Sequence, residues 1–103
     1  MTPKPVLRRA RARADIEAAF DRYMQEDPDL AYDLIRELEE VIQVIGEFPA
    51  TGSGRYAELL AIPDLRSRAL QRFPYVVFYI ERDDHIDVWR VLHGHRDIGS
   101  LLT

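Results

Sequence analysis

The sequence predicts an α+β fold in which an N-terminal strand and an antiparallel helical hairpin pack on a small, mostly antiparallel sheet. Three observations predict it. Apolar residues recur at helical spacing through the first half, they alternate at strand spacing through the second, and a short break at Asp27-Pro28 divides the helical half in two. With 103 residues, 47% apolar and 31% charged, the chain has room for one core, so a single domain over residues 1–103 is expected.

Pro5 to about Arg11 reads as the first strand, with proline at its start, where a strand tolerates it. From Ala12 to about Glu26, residues Ile16, Ala19, Phe20, Tyr23 and Met24 form one apolar stripe and predict the first helix. Asp27-Pro28 supplies an N-cap and then a proline at the first helical position, where its missing N–H costs nothing. Ala31, Leu34, Ile35, Leu38, Val41, Ile42 and Ile45 follow at steps of three and one, the strongest periodicity in the chain, and Pro49 closes this second helix. So short a break folds the two helices back on each other.

Pro49 to Pro63 is expected to be a loop around Gly52-Ser53-Gly54, packed down partway by Tyr56, Leu59, Leu60 and Ile62. Three strands follow: Leu65 to Phe73, Tyr75 to Arg82 and Ile86 to His93, with a bend at Phe73-Pro74 and a tight turn at Asp83-Asp84-His85. Asp97 to Thr103 forms a short C-terminal segment.

Strict alternation places Arg66, Arg68, Leu70 and Arg72 on one face of the first of these strands, and Ile86, Val88, Arg90 and Leu92 on one face of the last. The sheet is therefore expected to turn to solvent a face that gathers arginines with Tyr or His side chains. Guanidinium groups there suit phosphate or carboxylate, because their planar fork donates two parallel hydrogen bonds. Pairing with the protein's own Asp64, Glu81 or Asp87 is the competing use of the same charges.

Net charge is -4, but it divides along the chain: residues 1–14 hold five basic residues and no acid, while residues 15–48 hold eleven acids against Arg22 and Arg36. The balance argues against a general nucleic-acid binder. Without cysteine there is no disulfide framework, thiolate metal site or Cys nucleophile. No run approaches the roughly 18 apolar residues of a membrane span, and Met1-Thr2-Pro3-Lys4-Pro5 lacks a signal-peptide core, so a soluble, cytoplasmic protein is expected. His93 and His95 lie two apart around Gly94 with no third ligand evident, so no metal is expected; either histidine has the chemistry of a general acid or base. Gly52-Ser53-Gly54 fits neither a P-loop nor a dinucleotide fingerprint, and no cofactor is expected.

Several short motifs, taken in order, carry a resemblance over nearly the full length. They are Ala14-Asp15-Ile16 with Tyr23 in the first helix, Pro49 with Gly52 and Arg55 after the second, and Asp64-Leu65-Arg66 opening the sheet. Arg72-Phe73-Pro74-Tyr75-Val76-Val77-Phe78-Tyr79 and Ile86-Asp87-Val88-Trp89-Arg90-Val91-Leu92-His93, followed by Arg96-Asp97, complete the set. In these the chain resembles the ParE branch of the RelE/ParE superfamily, the toxin half of type II toxin–antitoxin operons.

The resemblance implies the fold derived above and a toxin that inhibits DNA gyrase by binding. It also implies a cognate ParD-like antitoxin that wraps the toxin in a hetero-oligomer, with no membrane and no sequence-specific nucleic acid among the partners. Candidates for target or partner binding are Arg66, Arg68, Arg72, Arg90, His93, His95 and Arg96. The RelE branch offers the alternative of a ribosome-dependent messenger-RNA endoribonuclease, with Tyr79, His93 or His95 as proton carriers among the arginines. Against it, no Tyr follows Tyr79 and Lys4 is the only lysine, whereas typical RelE nucleases have a late tyrosine and a lysine-rich strand face. An inactive member kept as an antitoxin-binding module is the third reading.

Overall fold

The structure, a computed structural model, describes residues 3–94 and 98–102. Strand β1 (Val6–Arg8) leads into helices α1 (Ala10–Glu26) and α2 (Pro28–Glu47), then a single 3-10 turn (Pro49–Thr51) and the short helix α3 (Arg55–Leu60). Strands β2 (Arg66–Ala69), β3 (Tyr75–Glu81) and β4 (Ile86–His93) follow, and α4 (Ile98–Leu102) ends the described chain. The sheet order is β1-β4-β3-β2, with β1 parallel to β4 and the other pairs antiparallel. The α+β architecture expected from the sequence is the one observed.

Asp27 joins the helices in two ways. Its N–H donates to the Tyr23 carbonyl at 2.8 Å, ending α1, and its side-chain Oδ1 accepts the Asp29 N–H at 3.0 Å, capping α2. Phe20 then meets Tyr32 edge-on at 5.6 Å across the hairpin. The apolar stripes of both helices, including Ala12, Ala19, Leu34, Leu38 and Ile45, cover one face of the sheet at Val77, Tyr79, Val88 and Val91.

Four expectations are corrected by packing. Helix α1 begins at Ala10 rather than Ala12, because the parallel ladder ends at Arg8 and the Arg9 N–H makes the last bond, to the Val88 carbonyl at 3.0 Å. The strand expected from Leu65 to Phe73 stops at Ala69. Beyond it the Glu37 carboxylate of α2 takes the N–H groups of Gln71 (3.0 Å) and Arg72 (3.1 Å), and the bend turns Leu70 and Phe73 into the same core. Two residues three apart cannot share a face of a straight strand.

The third correction is a β-bulge. Phe78 pairs with Arg90 but Tyr79 pairs with Val88, which leaves Trp89 as an extra residue on β4. Ile86, Val88 and Val91 therefore all lie under the hairpin, while Trp89 and Leu92 lie on the other face. Arg90, as the partner of Phe78, goes with the latter group. The expected grouping of Ile86, Val88, Arg90 and Leu92 is broken at its midpoint.

The fourth concerns the face expected to be open. It is covered. Tyr56, Ala57, Leu60 and Ile62 of α3 and its exit turn, with Ile98, Leu101 and Leu102 of α4, pack on Phe78, Ile80 and Leu92. What was expected to be loop thus contributes a helix, and Ala61 and Asp64 adopt left-handed backbone (φ 54° and 66°) to bring it down onto the sheet. Among the described residues no helix is long and apolar enough to cross a membrane.

Leu34 is completely buried in the hairpin core whereas Leu59 is 66% exposed. Leu34→Ala should therefore lower unfolding free energy by about 2–5 kcal/mol, and Leu59→Ala should leave the urea midpoint nearly unchanged.

Candidate functional site

The arginines of β2 point toward the hairpin side, because Arg66 and Arg68 pair with Tyr79 and Val77. Arg66 Nη1 donates to the carbonyls of Ala50 and Gly52, both at 3.0 Å, and Arg68 Nη2 donates to Thr51 Oγ1 at 2.7 Å. The Tyr79 hydroxyl donates to the Pro49 carbonyl at 2.7 Å. Three side chains from two neighbouring strands thus hold the 3-10 turn and its exit. Gly52 is required there: a Cβ would stand 2.8 Å from Tyr79 Cζ and would also collide with the hydroxyl. Burial pushes the Tyr79 hydroxyl above the ordinary phenol range, with Arg66 and Arg68 opposing the shift.

Arg72 lies beyond the bend, exposed, 3.4 Å from Asp33. Arg90 lies on the opposite face from Arg66 and Arg68. Its Nε and Nη2 grip Asp15 of α1 in a two-pronged pair at 2.7 and 2.8 Å, and its Nη1 donates to the Leu101 carbonyl of α4 at 2.8 Å. His93 packs edge-on against Tyr75 with ring centroids 5.4 Å apart. His95 and Arg96 lie outside the described residues. Arg66, Arg68, Arg72 and Arg90 therefore do not converge on one point. Of the proton carriers considered for nuclease chemistry, Tyr79 is fully buried and His93 sits at the far end of β4 from it.

The basic N-terminal segment is also largely bound within the molecule. Lys4 pairs with Glu81 at 2.8 Å and Arg8 with Glu39 at 2.8 Å. Arg9 shares Asp87 with Arg82, at 2.9 and 3.0 Å, and stacks 4.4 Å over the Trp89 ring. The Asp87 carboxylate also accepts from Trp89 Nε1 at 3.2 Å. Burial raises the Asp87 pKa, but the Arg9 and Arg82 hydrogen bonds, the Arg9 charge and Trp89 outweigh it and hold the group below the ordinary carboxylate range. Among the described residues no cluster of three or more His, Asp or Glu side chains could hold a metal ion.

Beside β4 a seam joins two of the expected residues, Arg90 and His93, to a face of α1 that the sequence did not single out. Because β1 stops at Arg8, the outer edge of β4 beyond Val88 has no strand beside it, and α1 runs there instead. Asp15 Oδ2 takes the edge N–H of Val91 at 3.0 Å. Three adjoining depressions of about 220, 440 and 60 Å3 follow this seam from Arg9 and Trp89 to His93, the first two sharing Arg11 and the last two sharing Asp15. Arg11, Asp15, Ala18 and Arg22 line it from α1. Their spacing of four, three and four residues was legible as a helix face. That the face borders an open strand edge was not.

The chain matches over residues 6–98 the family described as ParE toxin of type II toxin-antitoxin system, parDE. Among solved structures, it is similar to a chain from the "Chromosomal ParDE TA system from P. aeruginosa". The TM-score is 0.74 and the identity 22%, with 87% of this chain and 95% of that chain covered. At that identity the likeness is one of fold. No curated protein sequence matches the chain.

Gly52→Ala should destabilise the fold by about 1–3 kcal/mol through overpacking against Tyr79. Combining it with Tyr79→Phe, which removes the nearest clashing atom, should cost less than the sum of the two changes in chemical denaturation. A pH series should isolate Asp87. Its folded pKa is depressed, so its contribution is complete above the unfolded value of about 3.9 and lost as pH falls through the lower folded value. Asp87→Asn should accordingly flatten the acid limb of stability against pH and leave the neutral-to-alkaline slope unchanged.

Proposed function

The chain belongs to the ParE toxin family of type II toxin–antitoxin systems, and from that premise we propose that it arrests growth in the cytoplasm by binding DNA gyrase and is neutralised by a ParD-like antitoxin. The observation that carries this reading is the family match across residues 6–98, which spans every strand and both long helices. The fold likeness to a chain of a ParDE system supports an antitoxin partner. A partner that folds as it binds gains contact area along an exposed surface, and a body with divided charge can guide its docking.

The placement of the side chains supports inhibition by binding over ribonuclease chemistry. Cleaving RNA asks for an acid or base within hydrogen-bond reach of the reacting oxygen, beside cations that stabilise charge on phosphate. Here Arg66 and Arg68 are committed to loop oxygens, and Tyr79 donates to Pro49 inside the core. Arg90 is committed to Asp15 and Leu101 on the other face.

Purified chain added to gyrase and supercoiled plasmid should abolish supercoiling or yield gyrase-dependent linear DNA, and antitoxin should relieve the effect. A folded, growth-arresting preparation that leaves gyrase untouched, while messenger RNA is cut on translating ribosomes, would overturn the gyrase assignment.

A further inference from the structure

The internal pairing of most cations singles out those that remain. Among the described residues, the side chains of Arg11, Arg13 and Arg55 have no hydrogen-bond or acid partner, and Arg22 gives one hydrogen bond, to the neutral Tyr75 hydroxyl at 3.2 Å. Of these, Arg11 and Arg22 stand on the α1 side of the seam beside β4, with Arg9 at one end. Among the described residues, the carboxylate lining this seam is Asp15, already neutralised by Arg90 and occupied by the Val91 N–H. A trough with surplus positive charge therefore runs along an unpaired stretch of sheet edge.

We propose that this trough receives the toxin's protein target and that the segment it takes is a stretch of polypeptide carrying carboxylates among apolar side chains; the inference rests on the reading that the chain acts by binding a protein. Charge complementarity selects the sign of the occupant: carboxylates would meet Arg11 and Arg22 as exposed, charge-assisted contacts. The rest of the lining selects its class. Trp89, Leu101, Leu102 and Val91 give the trough apolar walls, and Ala14 and Ala18 leave room for close backbone approach. A phosphodiester backbone has nothing to bury against such walls, whereas an acidic peptide with apolar residues does. Through Arg90, the Asp15–Arg90 pair links α1 and α4, which both line the trough.

The test reverses charge at the two trough arginines that have no acid partner. Arg11→Glu/Arg22→Glu should fold, as judged by thermal unfolding, and should still be captured by antitoxin. Its growth arrest should be lost and its half-inhibitory concentration on gyrase should rise by about tenfold to a hundredfold. The milder Arg11→Gln/Arg22→Gln should fall between it and the parent chain. Arg36→Glu/Arg55→Glu, with the same change in net charge on α2 and α3, should arrest growth like the parent. Undiminished growth arrest by the trough variant would overturn the proposal, as would loss of antitoxin capture with arrest retained. Binding of single-stranded RNA or plasmid DNA by the parent that the variant loses would overturn it too, by moving the trough to phosphate. If the parent arrests growth without touching gyrase, only the gyrase reading falls, because growth arrest in the variants still judges the trough.

Discussion

The Asp15–Arg90 pair is the contact that ties α1, the edge of β4 and α4 to one another. Both side chains are largely withdrawn from water, at 14% and 16% exposure, and between them they reach α1, the edge of β4 and the last turn of α4. Removing one partner from a buried pair leaves the other's charge stranded, and that loss is larger than the pair's net worth against an apolar replacement. Its value here is geometric. The carboxylate seals the Val91 amide where no strand is available, and the guanidinium ties down a five-residue helix too short to hold itself.

The pair exists because β4 carries one extra residue. Without the bulge at Trp89, strict alternation would place Arg90 beneath the helical hairpin and Val91 outside it. The extra residue restores Val91 to the core beside Val77 and sends Arg90 out to the side where α4 waits. On the same face, α3 and α4 cover Phe78, Ile80 and Leu92, so the sheet has apolar cover on both sides. A domain of this size has little stability to spare, and a second covered face adds burial that one hairpin cannot supply.

This packing shapes the functional reading. Arginines of the sheet are occupied with the molecule's own loop oxygens and carboxylates, and the long basic start of the chain is mostly paired with acids from α2, β3 and β4. Two of the cations left without an acid partner, Arg11 and Arg22, lie along α1 beside a strand edge that no other strand covers. That distribution is the one the proposed binding of a protein target would use.

Much of the architecture was determined by the sequence alone. The α2 stripe from Ala31 to Ile45, the Asp27-Pro28 junction and the two-sided apolar pattern of Tyr75 to Ile80 are local periodicities and local turn chemistry, and each is found where it was expected. The tertiary structure decided the rest. Period-two alternation assigns faces only while the pairing stays in step, and neither the bulge at Trp89 nor the Glu37-bound bend after Ala69 has a mark within its own strand. The arginines were undecidable for a related reason. A long side chain takes whichever oxygen lies within its reach, and the acceptors of Arg66, Arg68 and Arg90 belong to segments 11 to 75 residues distant, brought near only by the completed fold.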